Sequence, residues 1–384
     1  MAPPPSPSRY ESLDVWRGAA CLLVVALHAT VYSANESFDA RVRSEGGSVF
    51  EWVLVAAGRL WIGVPLFFVI SGYCIAASAD AVRARPGGVG RYFVRRARRI
   101  YPPLWAALVL AVAVMFLLPP FAQPAPTSEG AVPLAPPAHL TVWQWVGNAT
   151  LTESWRAALA GGPTGYVLGQ LWTLCYEEQF YIVMGAILLI ARRWFFPGVW
   201  LVTALVLFNL SSLTPYPVRP AGLFTDGLWI AFAAGVAVYY RLIHAPATTG
   251  ASIEFALLIF GATALAGEAD PFDTRQTLAK YNAVACGFAV LLCRLRRFDS
   301  ALATSRWTAP LRFCGRMCYS LYLTHPLVAV PIAWMCSRAG VATPALTVLV
   351  TLPLCMVSAA GLGYAFHRVV ERRFLGPSRA PGAG

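Results

Sequence analysis

An all-α, polytopic membrane protein is the fold class that this 384-residue sequence predicts, and three observations predict it. Hydrophobic residues make up 58% of the chain, charged residues only 12%, and the mean hydropathy is +0.59, far from the balance of a soluble globular domain. Mostly apolar runs of roughly 17 to 25 residues recur, the length that a hydrocarbon layer of roughly 30 Å requires of a spanning helix. Arg, Pro or polar clusters bound these runs, and the basic residues gather on alternate sides.

About ten helices are predicted, in order. The first covers 14–33, after a Pro-rich N-terminal tail, MAPPPSPSRYE. The second, 52–79, is long enough to be tilted, or broken at Gly63, Pro65 or Gly72. The third, 101–118, lies between an Arg cluster and a Pro pair, and the fourth, 167–191, is closed by Arg192 and Arg193. A short fifth helix over 198–213 and a sixth over 223–240 follow, the latter closed by Arg241. The seventh covers 251–267, a short eighth 278–293, the ninth 318–336 and the tenth 343–366. With both termini cytoplasmic, 22 of the 30 basic residues flank inner helix ends, which favours this orientation over its inverse.

The formal charge of +12 is therefore explained mostly by topology, and a nucleic-acid partner is not expected. A cleavable signal peptide is not expected either, since the N-terminus lacks a basic n-region and Asp14 and Arg17 flank the first apolar run. Nine Cys lie almost wholly in predicted helices, without a CxxC pair or metal-ligand spacing, so neither a disulfide framework nor a metal site is predicted. The chain reads as one membrane domain over 1–384. It has an N-terminal tail (1–12), a long outer loop (119–166) and a cytoplasmic tail (367–384). The loop begins Pro-rich, and its LTVWQWV segment suits an aromatic element at the membrane surface.

Polar residues inside the apolar runs are the candidates for chemistry. Arg17 and His28 are eleven apart, so on a helix they differ by roughly 20° in direction and lie about 16 Å apart along the axis. Asp14 falls near the same line, three residues from Arg17, a spacing that permits an ion pair. A polar stripe of this kind faces the protein interior. For His28 two readings stay open: a neutral ring satisfied by backbone or hydroxyl groups, or a functional group.

Around Ser71 and Gly72, in GVPLFFVISGY, small residues fit close helix packing or a place in the site. In RYFVRRARRIYPPLW, five Arg exceed what topology needs. Arg96 and Arg99 lie one turn apart, able to grip an anion such as a phosphate; a polybasic contact with anionic lipid is the alternative. LWTLCYEEQFYIV puts Glu177 and Glu178 in the fourth helix about 100° apart, with Trp172 and Tyr181 nearby, so one carboxylate is expected to face the site. A carboxylate reaching His28 could orient it. In FCGRMCYSLYLTHPLV, Arg316, Tyr322 and His325 are candidates to line the site or to pack, and Pro326 places His325 at a kink.

These residues resemble the acyltransferase 3 family of integral membrane acyltransferases. The resemblance runs in order over nearly the whole chain: Arg17 and His28 with ten residues between them, LFFVISGY, RRARRIYP, LWTLCYEEQFY and CYSLYLTHP. It implies transfer of an acyl group, often acetyl, from cytoplasmic acyl-CoA to a hydroxyl on a sugar or other acceptor. By that resemblance Arg17 and His28 match the first-helix motif, Arg96 and Arg99 the RxxR pair, Glu177 the Glu of ExQFY with Glu178 in the variable place, and Tyr322 and His325 the YLxHP pattern. Thr324 stands where Trp is usual. Many members of that family carry an added esterase-like domain, and a stand-alone form without it is expected here.

The expected mechanism follows from both lines. Arg96 and Arg99, helped by Arg17, bind the CoA phosphates; the pantetheine arm reaches toward His28; His28 is the general base; and Glu177 orients or charge-balances it. A covalent acyl-His intermediate is the runner-up. No permanently bound cofactor is expected, acetyl-CoA or another acyl-CoA being the donor substrate. The expected setting is the cytoplasmic (inner) membrane. The expected acceptor is a cell-surface or exported glycan, with a macrolide or other small secondary metabolite as the alternative. A proton-coupled transporter or flippase is the alternative of another class, and it predicts internal repeats, of which none is convincing.

Overall fold

The computed structural model describes residues 10–33, 37–83, 88–117, 136–211, 221–268, 270 and 276–375. The Pro-rich start of the predicted outer loop, up to 135, and the ends of the two terminal tails lie outside the described residues, as do the last residues of the predicted third and fifth helices.

All the regular structure among the described residues is helical. The first helix, α1 (Leu13–Ser33), starts where the Asp299 carboxylate accepts the backbone N–H groups of Glu11 and Ser12, both at 2.8 Å. A side chain 287 residues away thus satisfies donors that a helix start leaves open. Two short helices follow, α2 (Ser37–Glu45) and α3 (Val49–Ala57), the latter begun by a capping box of Ser48 and Glu51. The predicted second span breaks at residues 58–62, in a turn and a 3-10 segment, and Gly63 opens α4 (Gly63–Arg83). Pro65 falls in the first turn of α4, where a missing N–H costs nothing, so the helix tolerates it.

Next come α5 (Gly88–Leu117), which runs through Pro102 and Pro103, then α6 (Val142–Thr150) and α7 (Glu153–Ala160) in the described part of the outer loop. Helix α6 carries the predicted aromatic element: a Thr141–Gln144 capping box starts it, and Trp143 is 72% exposed. The chain continues through α8 (Leu171–Ile190), α9 (Phe195–Leu210), α10 (Leu228–Ile243), α11 (Ala247–Ala266) and α12 (Leu278–Leu295). Short α13 (Asp299–Thr304) and α14 (Ala309–Arg316) lead to α15 (Cys318–Thr324) and α16 (Pro326–Arg338). A short α17 (Pro344–Leu346) then passes through one π-helical turn into α18 (Leu352–Val369).

Among the described residues, eight helical stretches are long and apolar enough to cross a membrane. The two predicted spans outside that set have a different form. The sixth is α10, only 16 residues, with every residue from Leu228 to Tyr239 buried, so protein surrounds it. The ninth is the broken pair α15 and α16, interrupted at His325 and Pro326.

Two glycine contacts bring the site-bearing helices together. A Cβ on Gly72 would lie 2.1 Å from the Phe232 carbonyl oxygen, and one on Gly235 would lie 1.9 Å from that of Val69, so α4 and α10 cross backbone to backbone. Helices α1 and α14 meet the same way, Gly18 on Leu311 and Gly315 on Asp14. Such approach needs residues without a side chain. Around this centre, α9 and α11 expose Leu201, Leu205, Phe208, Phe255, Leu258 and Ile259, apolar faces suited to lipid.

Candidate active site

Where α1, α4, α5 and α8 converge with α15, they enclose a cavity of about 630 Å³, within the range of roughly 300–1,000 Å³ common for small-molecule sites. Five arginines line it (Arg17, Arg95, Arg96, Arg98 and Arg99) against a single carboxylate, Glu177. That imbalance suits an anionic ligand.

The helix turn sorts the Arg cluster. Arg91, Arg95 and Arg98 are exposed, whereas Arg96 and Arg99, one turn apart, are half-buried on the inward face of α5. Arg96 donates to the Tyr181 hydroxyl at 3.1 Å and lies 4.5 Å over its ring. Arg99 has no hydrogen bond or ion pair among the described residues, which leaves its guanidinium donors available. Arg17 is held by Asp14 at 3.0 Å and by the Cys74 thiol at 2.9 Å, the spacing of three having made the ion pair.

Deeper in, Ser71 donates to Glu177 Oε1 at 2.5 Å, and Tyr181 donates to the same oxygen. Arg96, Tyr181, Glu177 and Ser71 thus form one connected chain along the wall. Glu178 turns away, accepting from the Tyr101 hydroxyl at 2.9 Å. Above Glu177 the lining continues with Phe67, Thr173 and Tyr322, whose two hydroxyls lie 2.6 Å apart.

His28 and His325 are not among the residues that line this cavity. The Tyr322 ring is 6.0 Å from that of His325, and His325 Nε2 is 2.8 Å from His28 Nδ1. Their ring centroids are 5.0 Å apart with planes only 21° apart, so the rings meet edge to edge, as an in-plane hydrogen bond requires, rather than face to face. His325 is fully buried and His28 half-buried. The Tyr32 ring lies 5.8 Å from that of His28, with the two planes 12° apart.

The structure corrects three expectations. Glu177 does not reach His28, because the hydroxyls of Ser71 and Tyr181 hold its carboxylate; the polar partner of His28 is His325. Arg316 does not line the cavity. The neighbouring Gly315 is locked against the Asp14 backbone, which turns Arg316 outward and leaves it exposed. Trp172 packs on Tyr176 and Tyr281 instead of entering the site. Asp14 takes part through Arg17 only. Sequence reasoning missed Thr173, Tyr92, Phe374 and Leu375, which also line the cavity. Tyr92 had a signal available, being four residues before Arg96 on the same helix face. Phe374 and Leu375, beyond the last helix, had none.

The model of the family described as Acyltransferase domain (Acyl_transf_3) matches residues 10–367. The chain is 26% identical over 322 residues to the exopolysaccharide production protein ExoZ of Rhizobium meliloti (strain 1021), covering 83% of this chain and 90% of that one. It is also 26% identical over 186 residues to the peptidoglycan O-acetyltransferase OatA of Listeria monocytogenes serovar 1/2a, covering 48% of this chain and 25% of that protein. No solved structure matches the chain significantly.

Proposed function

We propose a function from one premise: this chain belongs to the acyltransferase 3 family and is an acyltransferase of a multi-pass membrane type. In this reading it moves an acyl group, acetyl, from cytoplasmic acyl-CoA to a hydroxyl of a cell-surface or exported glycan. Its ten spans lie in the inner membrane with both termini cytoplasmic. Similarity to an exopolysaccharide production protein and to a peptidoglycan O-acetyltransferase supports a glycan acceptor and O-acetyl transfer, and an Arg99 without a hydrogen bond or ion pair among the described residues, in a five-arginine wall, supports a phosphorylated donor.

One observation carries the reading: the Arg-lined cavity extends past Glu177 to Thr173 and Tyr322, and the Tyr322 ring lies 6.0 Å from that of His325, the hydrogen-bonding partner of His28, although neither histidine itself lines the cavity. Arg96 and Arg99, with Arg17, hold the CoA phosphates at the inner end as charge-assisted donors. The pantetheine arm then lies along the Ser71–Glu177–Tyr322 wall and brings the thioester toward the histidines. Roughly 16 Å of helix between Arg17 and His28 suits an extended arm. His28 takes the proton of the acceptor hydroxyl as its oxygen attacks the thioester carbonyl. The carbon–sulfur bond then breaks, the CoA thiolate leaves, and the imidazolium returns the proton to it.

Purified protein in lipid, supplied with radiolabelled acetyl-CoA and a panel of oligosaccharides, tests this. Label in a saccharide product is expected, and it should vanish in His28→Ala. Label transfer to no saccharide, alongside transport of a solute by the same preparation, would reject the assignment.

A further inference from the structure

We infer that His325 is a positioning residue that fixes the tautomer of His28, and that Pro326 creates the acceptor on which it depends. This rests on the reading of His28 as the base and deepens it. In an α-helix the carbonyl of residue i accepts from the N–H of residue i+4. For Tyr322 that residue is Pro326, which has no N–H. The vacated carbonyl takes two side-chain donors instead: His325 Nδ1 at 2.8 Å and Gln170 Nε2 at 3.1 Å.

The proton positions then follow one from another. A carbonyl oxygen only accepts, so His325 Nδ1 carries the hydrogen. A neutral imidazole has one N–H, so His325 Nε2 is a lone pair. The atom 2.8 Å from it, His28 Nδ1, must be the donor. His28 Nε2 is therefore the bare, basic nitrogen, and it has no hydrogen bond among the described residues. The chain of bonds runs from a sealed backbone carbonyl, through a fully buried ring, to a half-buried one.

In a Ser-His-Asp triad a carboxylate selects the tautomer of the base. Here a second imidazole does so, itself set by a carbonyl that proline released. When His28 gains a proton at Nε2, its Nδ1–H bond to His325 becomes charge-assisted, which steadies the imidazolium without a buried carboxylate.

The test uses the full chain in lipid nanodiscs with ¹⁵N-labelled imidazoles, the His28 signals being those lost in His28→Ala. A single neutral form of His28 is expected, protonated at Nδ1 and bare at Nε2. In His325→Leu that form should give way to a mixture, and kcat should fall about 100-fold at unchanged KM for acetyl-CoA. His325→Gln, whose amide oxygen can accept from His28 Nδ1, should recover activity to within about tenfold of the parent. If His325→Leu fails to fold, Pro326→Ala serves. It keeps every side chain of the relay, restores the competing N–H, and should mix the tautomers with a kcat loss of about tenfold.

A wild-type His28 protonated at Nε2 overturns the inference, as do variants that leave both tautomer and kcat unchanged. Full transfer by His28→Ala, with the wild-type tautomer as described, would instead remove the catalytic role of His28 and leave the hydrogen-bond chain standing.

Discussion

At its N-terminal end, which the proposed topology puts on the inner side of the membrane, α1 carries Arg17, whose guanidinium is held by the Asp14 carboxylate and the Cys74 thiol in a wall with four more arginines. Eleven residues outward the same helix carries His28, whose partner is another ring and, through it, a backbone carbonyl. The inner end is built from full charges with more cations than anions. In the outer region, among the described residues, neither imidazole is hydrogen-bonded to a carboxylate. The difference assigns different work to each. In the proposed reading, surplus charge binds an anion but sets no proton position, whereas a relay of neutral donors and acceptors fixes which nitrogen is basic and binds little.

The sharpest break of this comparison is His28→Ala. It is expected to lower kcat by about 10³-fold while leaving KM for acetyl-CoA within twofold, since general-base loss costs about 10²–10⁴. A large rise in KM instead would mean that the outer region also binds the donor. Steady-state kinetics beside equilibrium binding of CoA separates the two.

Glu177 sits where the two regions meet, and Glu178 one residue on supplies its control. Glu177→Gln replaces an acceptor of two hydroxyls by a neutral one, loosening Tyr181 and with it Arg96. Charge-assisted bonds contribute about 1.5–3 kcal/mol, so kcat/KM should fall about 30-fold. Glu178→Gln keeps an acceptor for Tyr101 outside the cavity and should change kcat/KM by less than about threefold. Equal losses would show that the cavity does not distinguish the two carboxylates.

Much of the fold was readable because it is local. Apolar run length located the long helical stretches, eight of which are long and apolar enough to cross a membrane among the described residues, and Pro326 marked the break at His325. The break in the second span came at residues 58–62, because Pro65 fell harmlessly in a first turn and Gly72 served a helix crossing with Phe232. The inner half of the site was equally legible, for Arg96 and Arg99 face one way by helical spacing alone. The outer half was not. His28 meets His325 across 297 residues and Glu177 meets Ser71 across 106, and no period or spacing encodes such pairings. With the partner of His28 hidden, Glu177 was the natural candidate to orient it, and only the hydroxyls that hold Glu177 rule that out.

Within the inner region, Arg99 and Arg98 sharpen the claim that charge there binds rather than catalyses. Arg99→Ala removes a half-buried guanidinium with no hydrogen bond or ion pair among the described residues, so the cost should fall on the ligand: KM for acetyl-CoA up about tenfold, or about 1.4 kcal/mol, with kcat unchanged. Raising ionic strength should narrow the gap between variant and parent, since salt screens such attraction. Arg98, exposed at the rim, should show less than a threefold effect when replaced by Ala.

The smallest effect is expected at Arg316, and it bounds the inner region. This residue sits at the inner end of α14, where another arginine would extend the anion site if it pointed inward. It cannot, because Gly315 beside it is pressed on the Asp14 backbone, with a Cβ there only 1.7 Å from the carbonyl oxygen. That contact fixes the rotation of α14 and sends Arg316 outward. Arg316→Ala should leave KM for acetyl-CoA within twofold and stability within about 0.5 kcal/mol. A KM rise like that of Arg99→Ala would place the donor's anionic end beyond the cavity, across the α1–α14 contact, and the inner boundary would have to be redrawn around α14.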